Sequence, residues 1–273
     1  MIRTMGISVR HALSVALLAG TALAATACDA LKVSLQRHSE YHVQVARLYL
    51  ETGLLERAVA EFEYALELSP DLVEAHIGIG NAFQEVGDYR RAHDSFSTAA
   101  HLEPNNFDAC RGLGLTKQLL GMVKEAVTAY LRALAIRPDS FHVNEHLASA
   151  YLQLDRPGQA IVYAEQAVSL YDGDQGAWAN LATSYRLDGE YEKAVDAYRR
   201  ALELGDADAP LEPIVVGLAD AHIRLGRFER AAVALRNQIR RHPSSLAHER
   251  LGYCQFKQHR FEAALTSYRA VLA

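Results

Sequence analysis

The chain has 273 residues, half of them hydrophobic and 22% charged, with a formal net charge of −5. That balance suits a soluble, exported chain with a core to bury. It excludes the usual nucleic-acid binder, because no Lys/Arg-rich stripe is present to neutralise phosphates.

In chain order, the first element is a leader. Residues 1–11 carry Arg3, Arg10 and no acid, and an apolar run follows from Ala12 to Ala27. The run is short for a membrane-spanning helix, which needs about 20 residues. A positive start, an apolar middle and an Ala-rich end describe a secretory signal over residues 1–27. Its removal discards both arginines and no acid, so the net charge moves from −5 to −7. Ala25-Thr26-Ala27-Cys28 allows two endings. It reads as a small-x-small signal peptidase site. It also resembles the lipobox of bacterial lipoproteins, with Ala25 where leucine is usual and Cys28 as the lipidated first residue. Acyl chains bury about 0.8 kcal/mol per methylene, and several chains anchor a protein stably. Residues 28–38 then serve as a tether.

From Ser39 onward one unit repeats. Ala58, Ala92, Ala126, Ala160, Ala194, Ala231 and Ala264 recur at intervals of 34, 34, 34, 34, 37 and 33 residues. With each alanine counted as position 20, seven repeats occupy 39–72, 73–106, 107–140, 141–174, 175–211, 212–244 and 245–273. Position 8 is always small, from Ala46 and Gly80 to Gly252, and position 7 is always apolar. Position 24 is bulky at Phe62, Phe96, Tyr130, Tyr198, Leu235 and Tyr268, with Ala164 the exception. Position 15 is glycine in five repeats, and position 32 is proline in four.

Each preference has a cause. Positions 4, 7, 8 and 11 make one apolar helical stripe, and positions 20, 24 and 27 another. Small residues at 8 and 20 permit close helix approach, and the large residue at 24 fills the space toward the next unit. Gly at 15 suits the left-handed turn past a helix end, and Pro at 32 stops the second helix. Asp155 replaces that glycine in repeat four, with Pro157 at the start of the next helix, where proline is tolerated. Each unit is therefore a hairpin of two antiparallel helices that must stack to bury its apolar face. The widest interval holds Gly205 to Pro213, expected as a loop and local kink inside one array.

This pattern resembles the tetratricopeptide repeat from Ser39 to Ala273. The resemblance implies an all-α fold, a right-handed α-solenoid or superhelix of seven hairpins, acting as a non-enzymatic interaction scaffold without cofactors. It further implies that first helices line a concave face through positions 2, 5, 9 and 12. Here that stripe offers Glu74, Asn81 and Gln84, then Asp108, Arg111 and Gln118, then His142, Glu145 and Ser149, and finally Thr183 and Arg186. Such a row is apt for a protein or peptide partner. The family's carboxylate clamp finds only Asn81, and an asparagine ladder finds only Asn180.

For chemistry, His142-Val143-Asn144-Glu145-His146 fits the inverted zinc-peptidase signature, with both histidines on one helical face. No acidic third ligand follows near His222 and Ile223, so a metal-dependent hydrolase stands as the alternative to a scaffold, and no metal or catalytic residue is assigned. Cys110 and Cys254 occupy first-helix positions that favour packing, too far apart in a stacked array for a disulfide. The expectation is a periplasmic or membrane-anchored lipoprotein of the bacterial envelope, serving pilus, secretion or polysaccharide-export assembly. A cytosolic adaptor with a misassigned start is the other placement. The array ends at position 29 of repeat seven without a closing helix, leaving Leu265, Tyr268 and Val271 near an uncovered end. Self-association through that repeat is expected there, unless the sequence continues.

Overall fold

The helices recur at two places in the repeat. In a computed structural model that describes residues 32–205 and 211–272, the first helix starts at position 1 in repeats two to seven, and the second at position 17 in all seven. The pairs are α1 (residues 32–51) with α2 (Leu55–Leu68), α3 (Val73–Glu85) with α4 (Tyr89–Leu102), and α5 (Phe107–Leu119) with α6 (Val123–Ile136). They continue as α7 (Phe141–Gln153) with α8 (Pro157–Leu170), and α9 (Gln175–Asp188) with α10 (Tyr191–Leu204). The last are α11 (Glu212–Arg224) with α12 (Phe228–Arg241), and α13 (Ser245–Lys257) with α14 (Phe261–Val271). No strand occurs among the described residues. The chain divides into two compact units at Pro104/Asn105, so α1–α4 and α5–α14 are separate bodies.

Local chemistry sets these boundaries. Gly53, Gly87, Gly121, Gly189 and Gly226 all take positive φ, the left-handed turn expected at position 15. Asp155 (φ 55°) and His259 (φ 59°) hold the same place without glycine's freedom. Before the position-32 prolines, Ser69, Glu103, Arg137 and His242 have ψ between 87° and 97°, because the proline ring bars a helical conformation to its predecessor. Asn106, Ser140, Asp174 and Ser244 cap α5, α7, α9 and α13 by accepting a hydrogen bond from the backbone N–H three residues on.

The core alternates small and large. A Cβ on Gly78 would overlap the Phe62 ring of the preceding repeat, and one on Gly217 would overlap Tyr198. Within a repeat, a Cβ on Gly80 would lie 2.9 Å from Phe96, and one on Gly252 2.8 Å from Tyr268. Phe96, Tyr130 and Tyr268 are thus bedded on position 8 of their own hairpins, and Phe62 and Tyr198 on the position-6 glycine of the next.

Three expectations change. The buried stripe of the first helices runs through position 3 (Ala75, Ala109, Val143, Ala177, Ile214, Ala247), the expected positions 7 and 8, and position 10 (Ala82, Thr116, Ala150, Ser184, Ala221, Cys254). Positions 4 and 11 vary more, since His76, Trp178, Phe83 and Lys117 are only half-buried. Helix α11 begins at Glu212, so Pro213 lies in its first turn and not in the loop; residues 206–210 fall outside the described residues. Residues 32–38, assigned to a tether, are helical and continuous with α1, while the leader and Cys28 fall outside the described residues. Cys110 and Cys254 are buried and form no disulfide. On α14, Leu265 and Tyr268 are exposed and Val271 is half-buried. Among the described residues no helix is long and apolar enough to cross a membrane.

Candidate functional site

In the amino-terminal unit, α3 carries Glu74, Asn81 and Gln84. Glu74 is exposed and pairs with Arg47 at 3.2 Å. Asn81 is half-buried, and the Gln84 Nε2 is buried with no hydrogen-bond partner.

In the carboxyl-terminal unit the row is more tightly tied. Arg111 reaches Asp108 at 3.5 Å along α5. The Tyr130 hydroxyl donates to Gln118 Oε1 at 2.9 Å, and Gln118 Nε2 donates to Ser149 Oγ at 3.3 Å, linking α5 to α7. Burial raises the Glu145 carboxyl above its ordinary range, and Asp174 adds to it. On α9, Thr183 meets the Tyr198 hydroxyl at 3.1 Å, and Arg186 Nε donates to that same oxygen at 3.2 Å. The position-24 tyrosines therefore do two things. Their rings fill the core, and their hydroxyls orient position-9 or position-12 side chains, which the spacing of positions 2, 5, 9 and 12 does not reveal.

The zinc-like pair separates in environment. His142 is exposed, whereas the His146 ring stacks on Tyr130 with centroids 5.6 Å apart. Burial holds the His146 imidazole down to about 4. No group of three His, Cys, Asp or Glu side chains among the described residues is placed to hold a metal ion.

The same unit contains a cleft of about 550 Å³ that the eleven sequence-assigned residues reach only through Arg186. Its walls are α9, α11 and α13, with Tyr191 and Tyr268 from their partner helices. Asp220, Ile223, Glu249 and Tyr253 line it, and these are positions 9, 12, 5 and 9 of repeats six and seven. The stripe that nominated Arg186 continues to them; carrying the count two repeats further would have found them. Arg250 sits across the cleft, its Nε on Asp220 Oδ1 at 2.9 Å and its Nη1 on Glu249 Oε1 at 2.8 Å. Arg224 lies over the Tyr191 ring at 5.2 Å. Chemically the cleft is a charged and aromatic trough on first helices, with Tyr253 and Tyr268 partly exposed and Lys257 over the Tyr253 ring at 5.6 Å.

Comparison with known proteins adds the lineage. Family models described as tetratricopeptide repeat match residues 77–141, 141–174, 176–205 and 216–273, and a TPR repeat model matches 46–87. No curated protein sequence matches the chain. A solved tetratricopeptide repeat protein from Parabacteroides merdae is 16% identical, with a TM-score of 0.62 over 86% of this chain and 92% of that one. PilF of Pseudomonas aeruginosa is 21% identical, with a TM-score of 0.65 over 83% and 99%. YrrB, described as a TPR protein with an unusual peptide-binding site, is 23% identical, with a TM-score of 0.55 over 61% and 86%. At these identities the likeness is one of fold.

Proposed function

The chain belongs to the tetratricopeptide-repeat family, and from that premise we propose that it is a non-enzymatic scaffold that grips an extended segment of a partner protein along its first helices. The observation that carries this reading is the cleft between α9, α11 and α13, where charged groups are fixed beside exposed aromatic rings. Interfaces are enriched in Tyr and Arg for that reason: large contact area, few rotors, and donors that recognise polar groups. The polar row of Arg111, Gln118 and Ser149 extends the surface across α5 and α7. The peptide-binding site described for YrrB supports the same use of the fold.

The finer reading is a lipoprotein of the bacterial envelope, tethered through Cys28 and contributing to pilus, secretion or export assembly. The leader composition and the Ala25–Cys28 segment support it, and the fold likeness to PilF is compatible with it. The test is photo-crosslinking from Ser149 and Tyr253 in envelope extracts, with Arg111→Glu as comparison. Discrete adducts weakened by Arg111→Glu are expected; absence of any adduct from either position defeats the scaffold reading. Mass spectrometry of the mature amino terminus decides separately between acylated Cys28, plain cleavage and a retained leader.

A further inference from the structure

We propose that the α9–α11–α13 cleft selects an acidic–apolar segment: a carboxylate side chain held by Arg186 and Arg224, with a neighbouring aliphatic or aromatic side chain against Ile223 and Tyr253. This deepens the scaffold reading and rests on it.

The charge arrangement carries the inference. Three guanidinium groups and two carboxylates line the cleft. Arg250 bonds one oxygen of each carboxylate, Asp220 at 2.9 Å and Glu249 at 2.8 Å, so the two acids already share a cation and the cleft's five charges sum to +1. The other two cations have no such partner among the described residues. Arg186 is tied only through Nε to the Tyr198 hydroxyl, which fixes the fork and leaves its terminal nitrogens for an incoming group. Arg224 rests on the Tyr191 ring, a contact that orients a guanidinium without neutralising it. Two oriented guanidiniums lining one cleft, from α9 and α11, suit a planar carboxylate, which accepts paired hydrogen bonds. A basic segment would meet the same two cations, with both acids already sharing Arg250.

Shape supplies the other half. Tyr253 is 39% exposed and Leu187 45%, and the half-buried Ile223 lies on the same trough. A cleft of about 550 Å³ holds roughly two or three side chains, enough for one acidic and one apolar residue with the backbone between them.

The test uses three pools of fluorescein-labelled octapeptides, acetylated and amidated at their ends, with fixed Leu and Phe flanking a central Asp-Glu, Asn-Gln or Lys-Arg pair. Binding to the full chain is read by fluorescence polarisation. The acidic pool is expected to bind about tenfold more tightly than the amide pool, a preference that fades at high salt. Arg224→Glu and Arg186→Glu remove that preference, and Tyr253→Ala weakens every pool. Lys124→Glu on α6, outside the cleft, leaves affinities unchanged, and circular dichroism checks that each variant keeps its helix content. Arg224 is exposed at the end of α11, so its variant stands even where Arg186→Glu disturbs Tyr198. Equal or tighter binding of the amide or basic pool, still weakened by Tyr253→Ala, overturns the acidic assignment and leaves the scaffold reading intact. No binding by any pool, or binding indifferent to Tyr253→Ala, overturns both.

Discussion

The imidazole of His146 lies on the ring of Tyr130, 21° from parallel, in the place where Gly78 meets Phe62 and Gly217 meets Tyr198. At these three joints position 6 of one hairpin thus faces the position-24 ring of the one before it, and the joint is closed by either a glycine with no side chain or a flat ring. Any other shape there either overlaps the ring or leaves its face bare.

Gly217→Ala tests the joint. The added Cβ overlaps Tyr198, which is almost fully buried and cannot swing clear. Overpacking of this kind costs about 1–3 kcal/mol, read as a lower midpoint in urea unfolding. Gly158→Ala is the contrast: its Cβ approaches nothing closer than Asp188 Oδ1 at 3.5 Å. In a helix that change is expected to stabilise by about 0.5–1 kcal/mol.

Tyr130→Phe removes the hydroxyl that holds Gln118 while keeping the ring. Loss of one such hydrogen bond in a half-buried site is expected to cost about 1 kcal/mol. The reverse experiment lies one repeat earlier. Gln84 has a buried amide nitrogen without a partner, and its repeat carries Phe96 where Tyr130 stands in the next. Phe96→Tyr is expected to supply that partner and raise the thermal midpoint; a fall would mean that the hydroxyl cannot reach Gln84.

His146 gives the stability a pH dependence with a defined sign. Its folded imidazole titrates near 4, held down by burial first and by the charges of His142 and Arg111 second, against an ordinary value of 6.5. Unfolded chains therefore take up this proton near 6.5, whereas the folded protein resists it until about 4. The contribution is whole above pH 6.5 and is lost as pH falls from 6.5 to about 4. Glu145, whose carboxyl is raised by burial, works in the opposite sense by binding its proton earlier in the folded state. Comparing the wild type with His146→Phe cancels Glu145 and isolates the imidazole. The variant is expected to gain on the wild type across that window by up to about 3 kcal/mol, with no change in the difference above pH 7.

Asp155 and His259 bear left-handed backbone that five sister turns assign to glycine. Asp155→Gly and His259→Gly should each raise stability by about 0.5–1 kcal/mol, because relief of the Cβ clash outweighs the added entropy of the unfolded chain. Calorimetry of the two single variants checks this, with the larger gain expected at His259, whose side chain lacks the short oxygen that eases aspartate into this region.

The period, the turn glycines and the helix-stopping prolines were readable in the sequence because each imposes a backbone conformation that few residues tolerate. Positions 3 and 10 carry no sequence signal, since alanine there looks like any helical alanine; only packing shows that Ala109 and Ala221 face a neighbour. Pro213 looked like a loop residue because proline suits both a turn and a first helical turn. The row from Glu74 to Arg186 was legible as a stripe, yet its hydrogen bonds were not. Gln118 and Thr183 depend on tyrosine hydroxyls arriving from the other helix of the hairpin, 12 and 15 residues away. The cleft of repeats six and seven, likewise, exists only once three first helices lie side by side.

The glycine or flat ring that meets Phe62, Tyr130 and Tyr198 gives those hairpins addresses. A copy ending in Tyr198 accepts a successor that presents Gly217, while the copy ending in Tyr130 has His146 laid over it; exchanging the two successors would change what covers each tyrosine. Duplication within this gene can lengthen the array, but shuffling its members would mismatch their seams. The order of the copies is thus part of what the chain encodes, alongside their number.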